Sequence, residues 1–503
     1  MKKRDPEKVF QDKEIDLRGE RIDPDLFRRV GENIILRVRS NVVPSPQVVL
    51  GGDTREDTPE LMNALSRGIM NRGGSIILIG GQIAKPIAYF SAELYRADAL
   101  AYVTASHVRA GCNGVKVWFP ERPTAHQPAL SLAAREVVNK HQEIIREYQQ
   151  YLLSTFGPDL GQGTSLVVDS LFGSARLVAP QVLKKSMFDL ESLHAFVDSK
   201  FTHLQNNAPD PTLPRNLDEL RQVAEVWEGI GAAFDGDMDR VVFVDENGEV
   251  VPADEIAMIL GRYILKNLRK KSKIVYHCQS SNGLPEVIQE ARGKPVIQET
   301  GWRSIKEKME EVSAAFGSEI SGHFFYGKGL YYVNNGDDGL FTTLMLCKVL
   351  KESQQSLVEA RKELPAYFTS PELRVSYDRR RSLRILEALR KRFEKDDSFS
   401  LSIIGRDLRA EKRDGKEWCS WLVFRTSLTE PGKLSFRFEA RTLPHLAEIK
   451  RTLFESIPQD DQPLRQMLEE SYKTSVGDPT AYYRRALQTK GSLREQQPDR
   501  KRK

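Results

Sequence analysis

Cysteine is scarce in this sequence. Four occur in 503 residues, at positions 112, 278, 347 and 419, and no two form a C-x-x-C pair. Such spacing offers neither a disulfide framework nor a zinc site, and it fits a reducing, cytoplasmic setting. Long apolar runs are missing too: no segment reaches the ~18 uninterrupted apolar residues of a membrane helix. The stretch from Met1 to Phe10 is charged where a signal peptide needs an apolar core, so neither export nor membrane insertion is expected. A basic surface is lacking as well. The net charge is +5, but residues 484–503 hold eight Lys and Arg against Glu495 and Asp499, a local +6 that leaves the remaining chain at −1. The body of the protein therefore gives no reason to expect nucleic acid as a partner, and the basic tail, 475–503, reads as a solvated, disordered end.

What is present is an ordinary globular composition, 40% hydrophobic and 29% charged. The chain is too long for one core, and about three or four domains are expected. From Val48 onward strand-like and helix-like segments alternate: VVLGGD, PELMNALSRGIMNRG, SIILIGG, PIAYFSAELYRA, ALAYVTA. The rhythm returns at 165–185 and 273–291, each a buried strand followed by a helix. Three similar α/β units with mixed sheets are therefore expected. Near Ser370 strands take over (LRVSY, WLVFRTS, LSFRFEAR) around the helices SLRILEALRKRFEKD and HLAEIKRTLFESI, which predicts a fourth, α+β domain.

Two motifs carry chemistry. The strand ALAYVTA runs into Thr104-Ala105-Ser106-His107 and a loop through Gly111, Asn113 and Gly114 to Lys116. A serine hydroxyl is a weak nucleophile unless a base or cationic surroundings assist it, and His107 and Lys116 offer both. Further on, Phe234-Asp235-Gly236-Asp237-Met238-Asp239-Arg240 spaces three acids at i, i+2 and i+4; in extended backbone they project to one side. A hard divalent cation, Mg²⁺ where a phosphate completes the shell, best accommodates that charge. A calcium loop is the structural rival, with Glu246 at its twelfth position, but Arg240 stands where that loop needs glycine and a hairpin, VVFVDENGEVV, follows in place of a helix.

Together these motifs resemble the α-D-phosphohexomutase family. The family's serine loop, T-A-S-H-N-P-x-x-Y-N-G-x-K, is seen as TASHVRAGCNGVK; its D-G-D-x-D-R as DGDMDR; its sugar-binding G-E-x-S-G-H as Ser318-Glu319-Ile320-Ser321-Gly322-His323; and its phosphate-binding R-x-S-N-T-E-P as Arg425-Thr426-Ser427-Leu428-Thr429-Glu430-Pro431. Asp16-Leu17-Arg18-Gly19 and Gly51 to Arg55 match two supporting motifs. The resemblance implies four domains around a central cleft: 1–150 with the phosphoserine, 151–255 with the metal, 256–368 with the sugar loop and 369–474 with the phosphate loop. It also implies an intramolecular phosphotransferase interconverting hexose 1-phosphate and hexose 6-phosphate, with one Mg²⁺ per site on Ser106, Asp235, Asp237 and Asp239, and a hexose 1,6-bisphosphate as activator and intermediate. Arg18, His107 and Lys116 would assist at the transferred group. Arg240, Gly301, Trp302, Glu319, Ser321, His323, Arg425, Ser427 and Thr429 would contact the phosphosugar.

The pattern is not met everywhere. Val108-Arg109 replaces Asn-Pro, Cys112 the tyrosine, Leu428 an asparagine, and Trp302 a histidine, while Gln279 falls where a lysine is common. The chemistry is retained more fully than the sugar contacts. The expectation is thus a mutase acting on mannose and/or glucose phosphates as monomer or homodimer. Phosphoglucosamine mutase is the alternative enzyme, and a non-catalytic sugar-phosphate-binding regulator the alternative of another class.

Overall fold

The computed structural model describes residues 14–20, 23–39, 45–120, 128–268, 271–376, 378–415, 417–426, 432–457 and 461–476. They fall into two compact units: residues up to Pro252 with Ser321–Val358, and Ala253–Ile320 with residues from Glu359 on.

The first unit opens with β1 (Glu14–Glu20) and α1 (Pro24–Arg39), followed by β2 (Gln47–Gly52), α2 (Thr58–Asn71), β3 (Ser75–Gly80), α3 (Lys85–Leu94), β4 (Ala99–Val103), β5 (Cys112–Trp118), β6 (Val137–Asn139) and α4 (His141–Phe156). The strands assemble in the order β1-β5-β4-β2-β3-β6. The inner strands β2, β3 and β4 are parallel and read VVLGG, SIILIG and ALAYV, apolar on both faces because helices cover both. Antiparallel β5 and β1 close one edge, with Asp16 opposite Lys116.

A second sheet repeats the scheme with β7 (Ser165–Asp169), α5 (Ala179–Lys185), β8 (Asp189–Leu193), α6 (Asp218–Val226), β9 (Ile230–Phe234), β10 (Val241–Val244) and β11 (Val250–Val251), in the order β11-β10-β9-β7-β8. β8, β7 and β9 are parallel; β9, β10 and β11 are antiparallel.

In the second unit α7 (Ala253–Asn267), β12 (Lys273–His277), α8 (Gly283–Glu290), β13 (Lys294–Gln298), α9 (Trp302–Val312) and β14 (Phe316–Ser318) form a parallel three-strand layer centred on β12. The chain then returns to the first unit for β15 (Phe324–Tyr326), β16 (Gly336–Asp337) and α10 (Gly339–Ser353), whose N-terminus Asp338 caps by accepting from Phe341 N. Back in the second unit, β17 (Phe368–Thr369), β18 (Leu373–Ser376), α11 (Arg379–Glu394), β19 (Phe399–Ile404), β20 (Asp407–Asp414), β21 (Glu417–Thr426), β22 (Lys433–Ala440), α12 (Leu443–Ser456) and α13 (Gln462–Val476) build an antiparallel sheet, β17-β22-β21-β20-β19, with β18 also on β22. Phe424, Phe436, Phe438 and Leu422 face Leu389, Phe393, Ile449 and Leu453 in its core.

The expected three α/β layers and the α+β domain are present. Sequence patterning missed β1 and β20, whose strings are heavily charged, and β19, a short edge strand rich in serine. The four cysteines are free and buried. Among the described residues no helix is long and apolar enough to cross a membrane. The tail beyond Val476 lies outside the described residues.

Candidate active site

In a layered α/β sheet the loops leaving the carboxyl ends of parallel strands are the natural place for a site. Ser106 leaves β4 and Asp235 leaves β9, both within the first unit. Ser106 is 1% exposed and has φ +54°, a left-handed conformation that costs energy in a residue bearing Cβ. The surrounding loop imposes it. Ser106 N donates to Thr104 Oγ1 (2.7 Å), and Thr104 Oγ1 donates to Asp53 Oδ2 (2.7 Å). The guanidinium of Arg55 donates to four carbonyls of the loop: Ser106 (2.7 Å), Val108 (2.6 Å), Arg109 (3.1 Å) and Cys112 (2.9 Å). Its Nε is tied to Asp53 (3.1 Å). Arg18 is held by Asp16 through two bonds (2.8 and 2.7 Å) and reaches the carbonyl of Ala105 (3.2 Å). His107 Nδ1 stands 3.3 Å from Ser106 Oγ.

The carboxylate triplet is a tight turn. Extended backbone, expected from the spacing, is not what forms: Met238 N donates to the carbonyl of Asp235 (3.0 Å) and Met238 has φ +63°. The turn still aims the acids together, with one ligand oxygen from each of Asp235, Asp237 and Asp239 within 4.8 Å of the others. Gly236 lets this turn meet the serine loop, since a Cβ there would lie 2.7 Å from the carbonyl oxygen of Ser106. Across that approach Ser106 Oγ donates to Asp235 Oδ2 at 2.8 Å.

Counter-charges surround the acids. Lys116 Nζ donates to Oδ2 of Asp237 and of Asp239 (2.9 Å each), and Lys85 Nζ donates to Asp239 Oδ2 (2.8 Å) and to Asp337 (2.9 and 3.0 Å). Burial, then the neighbouring Asp239 and Asp237, push the Asp235 carboxyl well above its ordinary range. Burial acts the same way on Asp239, but Lys116 and Lys85 outweigh it and hold that carboxyl well below. Oδ1 of Asp237 and Oδ1 of Asp239 are buried without a hydrogen-bond partner. Buried carboxylate oxygens left unpaired, beside a third carboxylate and a hydroxyl, fit a hard divalent cation. The calcium-loop alternative gains nothing, because the Glu246 carboxylate accepts from the amides of Leu357 (2.7 Å) and Val358 (3.0 Å).

Arg240, also in the first unit, donates from Nε to His323 Nε2 (2.9 Å), and His323 Nδ1 lies 2.9 Å from Asp337 Oδ2. Ser321 is half-buried, two residues before His323. The other expected contacts lie in the second unit. Glu319 accepts from Gly301 N (2.8 Å), and Trp302 opens α9 with Lys306 Nζ 5.5 Å from its ring centre. Arg425 donates to Glu372 (3.2 Å), which also accepts from Ser435 Oγ (2.5 Å). Burial opposes the charge on Glu372, yet Arg374 and Arg425 prevail and hold its carboxyl far below the usual range. Ser427, Leu428 and Thr429 lie outside the described residues. Arg109 pairs with Glu20, and Arg303 with Glu307 (2.9 Å).

Four participants escaped the sequence reading of the first-unit site: Asp53, Arg55, Lys85 and Asp337. A signal existed for two of them, since Asp53 and Arg55 belong to the GGDTR segment, whereas Lys85 stands in an apolar helix and reaches partners 154 and 252 residues away.

Three family models match in chain order: phosphoglucomutase/phosphomannomutase alpha/beta/alpha domain I at residues 11–141, domain II at 146–248 and domain III at 252–368. The chain belongs to the α-D-phosphohexomutase family. Among curated relatives, this phosphohexomutase is 28% identical to a phosphomannomutase/phosphoglucomutase of Pseudomonas putida over 80% of its own length and 86% of the relative's. It is 29% identical to a phosphoglucosamine mutase of Streptococcus pyogenes over 70% and 80% respectively. A crystal structure of a phosphoglucomutase/phosphomannomutase family protein from Burkholderia thailandensis superposes with a TM-score of 0.72 at 26% identity, covering 92% of this chain and 97% of the other. The chain is a hexose-phosphate mutase, an isomerase that works by phosphoryl transfer.

Proposed function

We propose that Ser106 carries the transferred phosphoryl group and that the protein interconverts the 1- and 6-phosphates of mannose and/or glucose. In this scheme phospho-Ser106 gives its phosphoryl group to the free hydroxyl of a bound hexose monophosphate. The bond from phosphorus to Ser106 Oγ breaks, one to the sugar oxygen forms, and the hydroxyl proton passes to a nearby base, for which His107 is the candidate. The resulting hexose 1,6-bisphosphate turns over and returns its other phosphoryl group to Ser106. In that return step Ser106 Oγ gives up its proton and the released sugar oxygen takes one up, and His107, whose Nδ1 stands 3.3 Å from Ser106 Oγ, is the candidate carrier for both. Lys116 and Arg240 hold the acids in place, and Arg18 steadies the serine loop through the Ala105 carbonyl.

Asp235, Asp237, Asp239 and the oxygen of Ser106 would hold Mg²⁺, which supplies charge neutralisation at the phosphoryl group when bound. Glu319 and Ser321 offer an acceptor and a donor for sugar hydroxyls. The guanidinium of Arg425, with the hydroxyls of Ser427 and Thr429, suits the oxygens of the non-reacting phosphate. Gly301, Trp302 and His323 complete the proposed substrate contacts, and domain limits at 150, 255, 368 and 474 belong to the same proposal.

The observation that carries this reading is the meeting of a strained serine with three converging aspartates, two of which keep an unpaired buried oxygen. A non-catalytic regulator would have no use for that geometry. Intact-mass measurement before and after incubation with glucose 1,6-bisphosphate should show one added phosphoryl group, absent in Ser106→Ala. Coupled assays with mannose, glucose and glucosamine 1-phosphates then rank the sugars, and a preference for glucosamine 1-phosphate would move the assignment to phosphoglucosamine mutase. An unphosphorylated Ser106 together with undiminished activity in Ser106→Ala ends the proposal.

A further inference from the structure

Lys85 occupies a position that should repel it. It is the first residue of α3, where the helix dipole disfavours a cation, and it is 1% exposed, where an ammonium loses its hydration. Both its main chain and its side chain are nevertheless spent on the carboxylate turn: Lys85 N donates to the carbonyl of Asp237 (2.9 Å), and Nζ donates to Asp239 Oδ2 (2.8 Å) and to both oxygens of Asp337 (2.9 and 3.0 Å). The ring of Tyr89 lies 5.2 Å from the ammonium, one turn along the same helix. Lys116 occupies the same Asp239 oxygen from β5, so two ammoniums share Oδ2 while Oδ1 is left over.

We propose that Lys85 is a resident cation of the metal turn: it keeps the turn closed and aimed when no divalent ion is bound, and it lowers the affinity for that ion. This rests on the assignment of Asp235, Asp237 and Asp239 as metal ligands. The consequence is one of charge. Four buried carboxylates (Asp235, Asp237, Asp239 and Asp337) are met by Lys85, Lys116 and Arg240, whose Nε is 4.0 Å from Asp235. A divalent ion therefore enters a turn already largely neutralised. Removing Lys85 leaves the ion more negative charge to meet, and removing Asp337 leaves it less.

Binding of Mn²⁺ to the full chain, measured by calorimetry and by electron paramagnetic resonance, separates this role from a merely structural one. At an effective dielectric of about 20, a unit charge a few ångströms from a divalent ion changes its affinity by at least about tenfold. Lys85→Met should accordingly tighten Mn²⁺ binding by about tenfold or more, whereas Asp337→Asn should weaken it. In chelator, Lys85→Met should melt about 5 °C or more below the wild type and recover on adding Mn²⁺. A purely structural lysine predicts weaker binding in both variants, and unchanged or weaker binding in Lys85→Met overturns the inference. Should that variant not fold even with Mn²⁺, Lys85→Gln, which keeps a hydrogen-bond donor but not the charge, decides in its place: tighter Mn²⁺ binding supports the inference, and unchanged or weaker binding overturns it. If the wild type binds no Mn²⁺, the metal assignment fails and the inference with it; if it binds and only the variant shifts are missing, the inference fails alone.

Discussion

Replacing Gly236 by alanine tests whether the spacing between the serine and metal turns limits the reaction. The backbone of Gly236 is not in the left-handed region, so alanine introduces no torsional strain there. What it introduces is a methyl group 2.7 Å from the carbonyl oxygen of Ser106 and 2.9 Å from Cγ of Pro209. Comfortable contact needs about 3.5 Å, so the turns must part by roughly half an ångström or more. The Ser106 carbonyl cannot yield easily, because Arg55 holds it by a 2.7 Å hydrogen bond. The displacement therefore falls on the bond between Ser106 Oγ and Asp235, 2.8 Å long in the structure. A misplacement of about 1 Å at a reacting centre costs about a hundredfold in rate, so half of that predicts a loss of about ten- to a hundredfold in kcat, with roughly 1–3 kcal/mol of overpacking in stability. The assay is conversion of glucose 1-phosphate to glucose 6-phosphate coupled to a dehydrogenase, with circular dichroism and melting curves to show that the variant is folded. A folded Gly236→Ala enzyme with wild-type kcat would refute the claim that this contact sets the geometry.

Arg55 is buried and serves four carbonyls and Asp53; Arg55→Met should cost about 3–5 kcal/mol of stability and most of the activity, and Arg55→Lys should recover only part, because an ammonium cannot span the fork. Chemical denaturation and kcat of both variants check this. His194 is held charged by its bond to Asp169, against the opposing effect of burial, so its folded pKa lies above the ordinary 6.5. The stabilisation it provides is complete below that value and fades as pH rises through the raised one. The loss of stability in His194→Asn, a residue that tolerates the φ of +45° found there, should accordingly be larger at pH 6 than at pH 9, as read by denaturant midpoints.

Much of the site was legible because its chemistry is local in sequence. The stretches TASH and DGDMD announce a serine and a carboxylate cluster without reference to anything distant. The regular parts of the fold were legible for a related reason: β2, β3 and β4 are buried on both faces and so read as continuous apolar runs. What escaped depends on partners far along the chain. The first residues of β20 are buried yet read DLRA, and nothing in that string tells of Arg409 bonding to Asn282 Oδ1 (2.7 Å) or lying 4.2 Å from the ring of Trp421. Likewise nothing in the pattern of β1, EIDLRGE, marks a strand: only the family resemblance pointed to Arg18, and the fold adds that Asp16 and Arg18 are bound to each other beside the serine loop. Lys85 is the extreme case: a lysine ahead of an apolar helix reads as a solvated end, and only the tertiary fold turns it inward.

The three aspartates, identical in type and two residues apart, are made unequal by the cations around them. Lys116 reaches Asp237 and Asp239, and Lys85 reaches Asp239 alone, so Asp239 is the most strongly held as a carboxylate. Asp235 meets neither lysine at bonding distance; it has the main-chain amide of Arg240 (3.2 Å) and the hydroxyl of Ser106, and its carboxyl is pushed toward the protonated form. The carboxylate nearest the nucleophile is thus the one readiest to hold a proton, and the one farthest along the turn is the one fixed in charge. A divalent cation bound by the three would favour the charged form of each, and would change most the one that neither lysine reaches, Asp235. Lysine placement, more than the aspartates themselves, sets how strongly each carboxylate of the turn is held in its charged form.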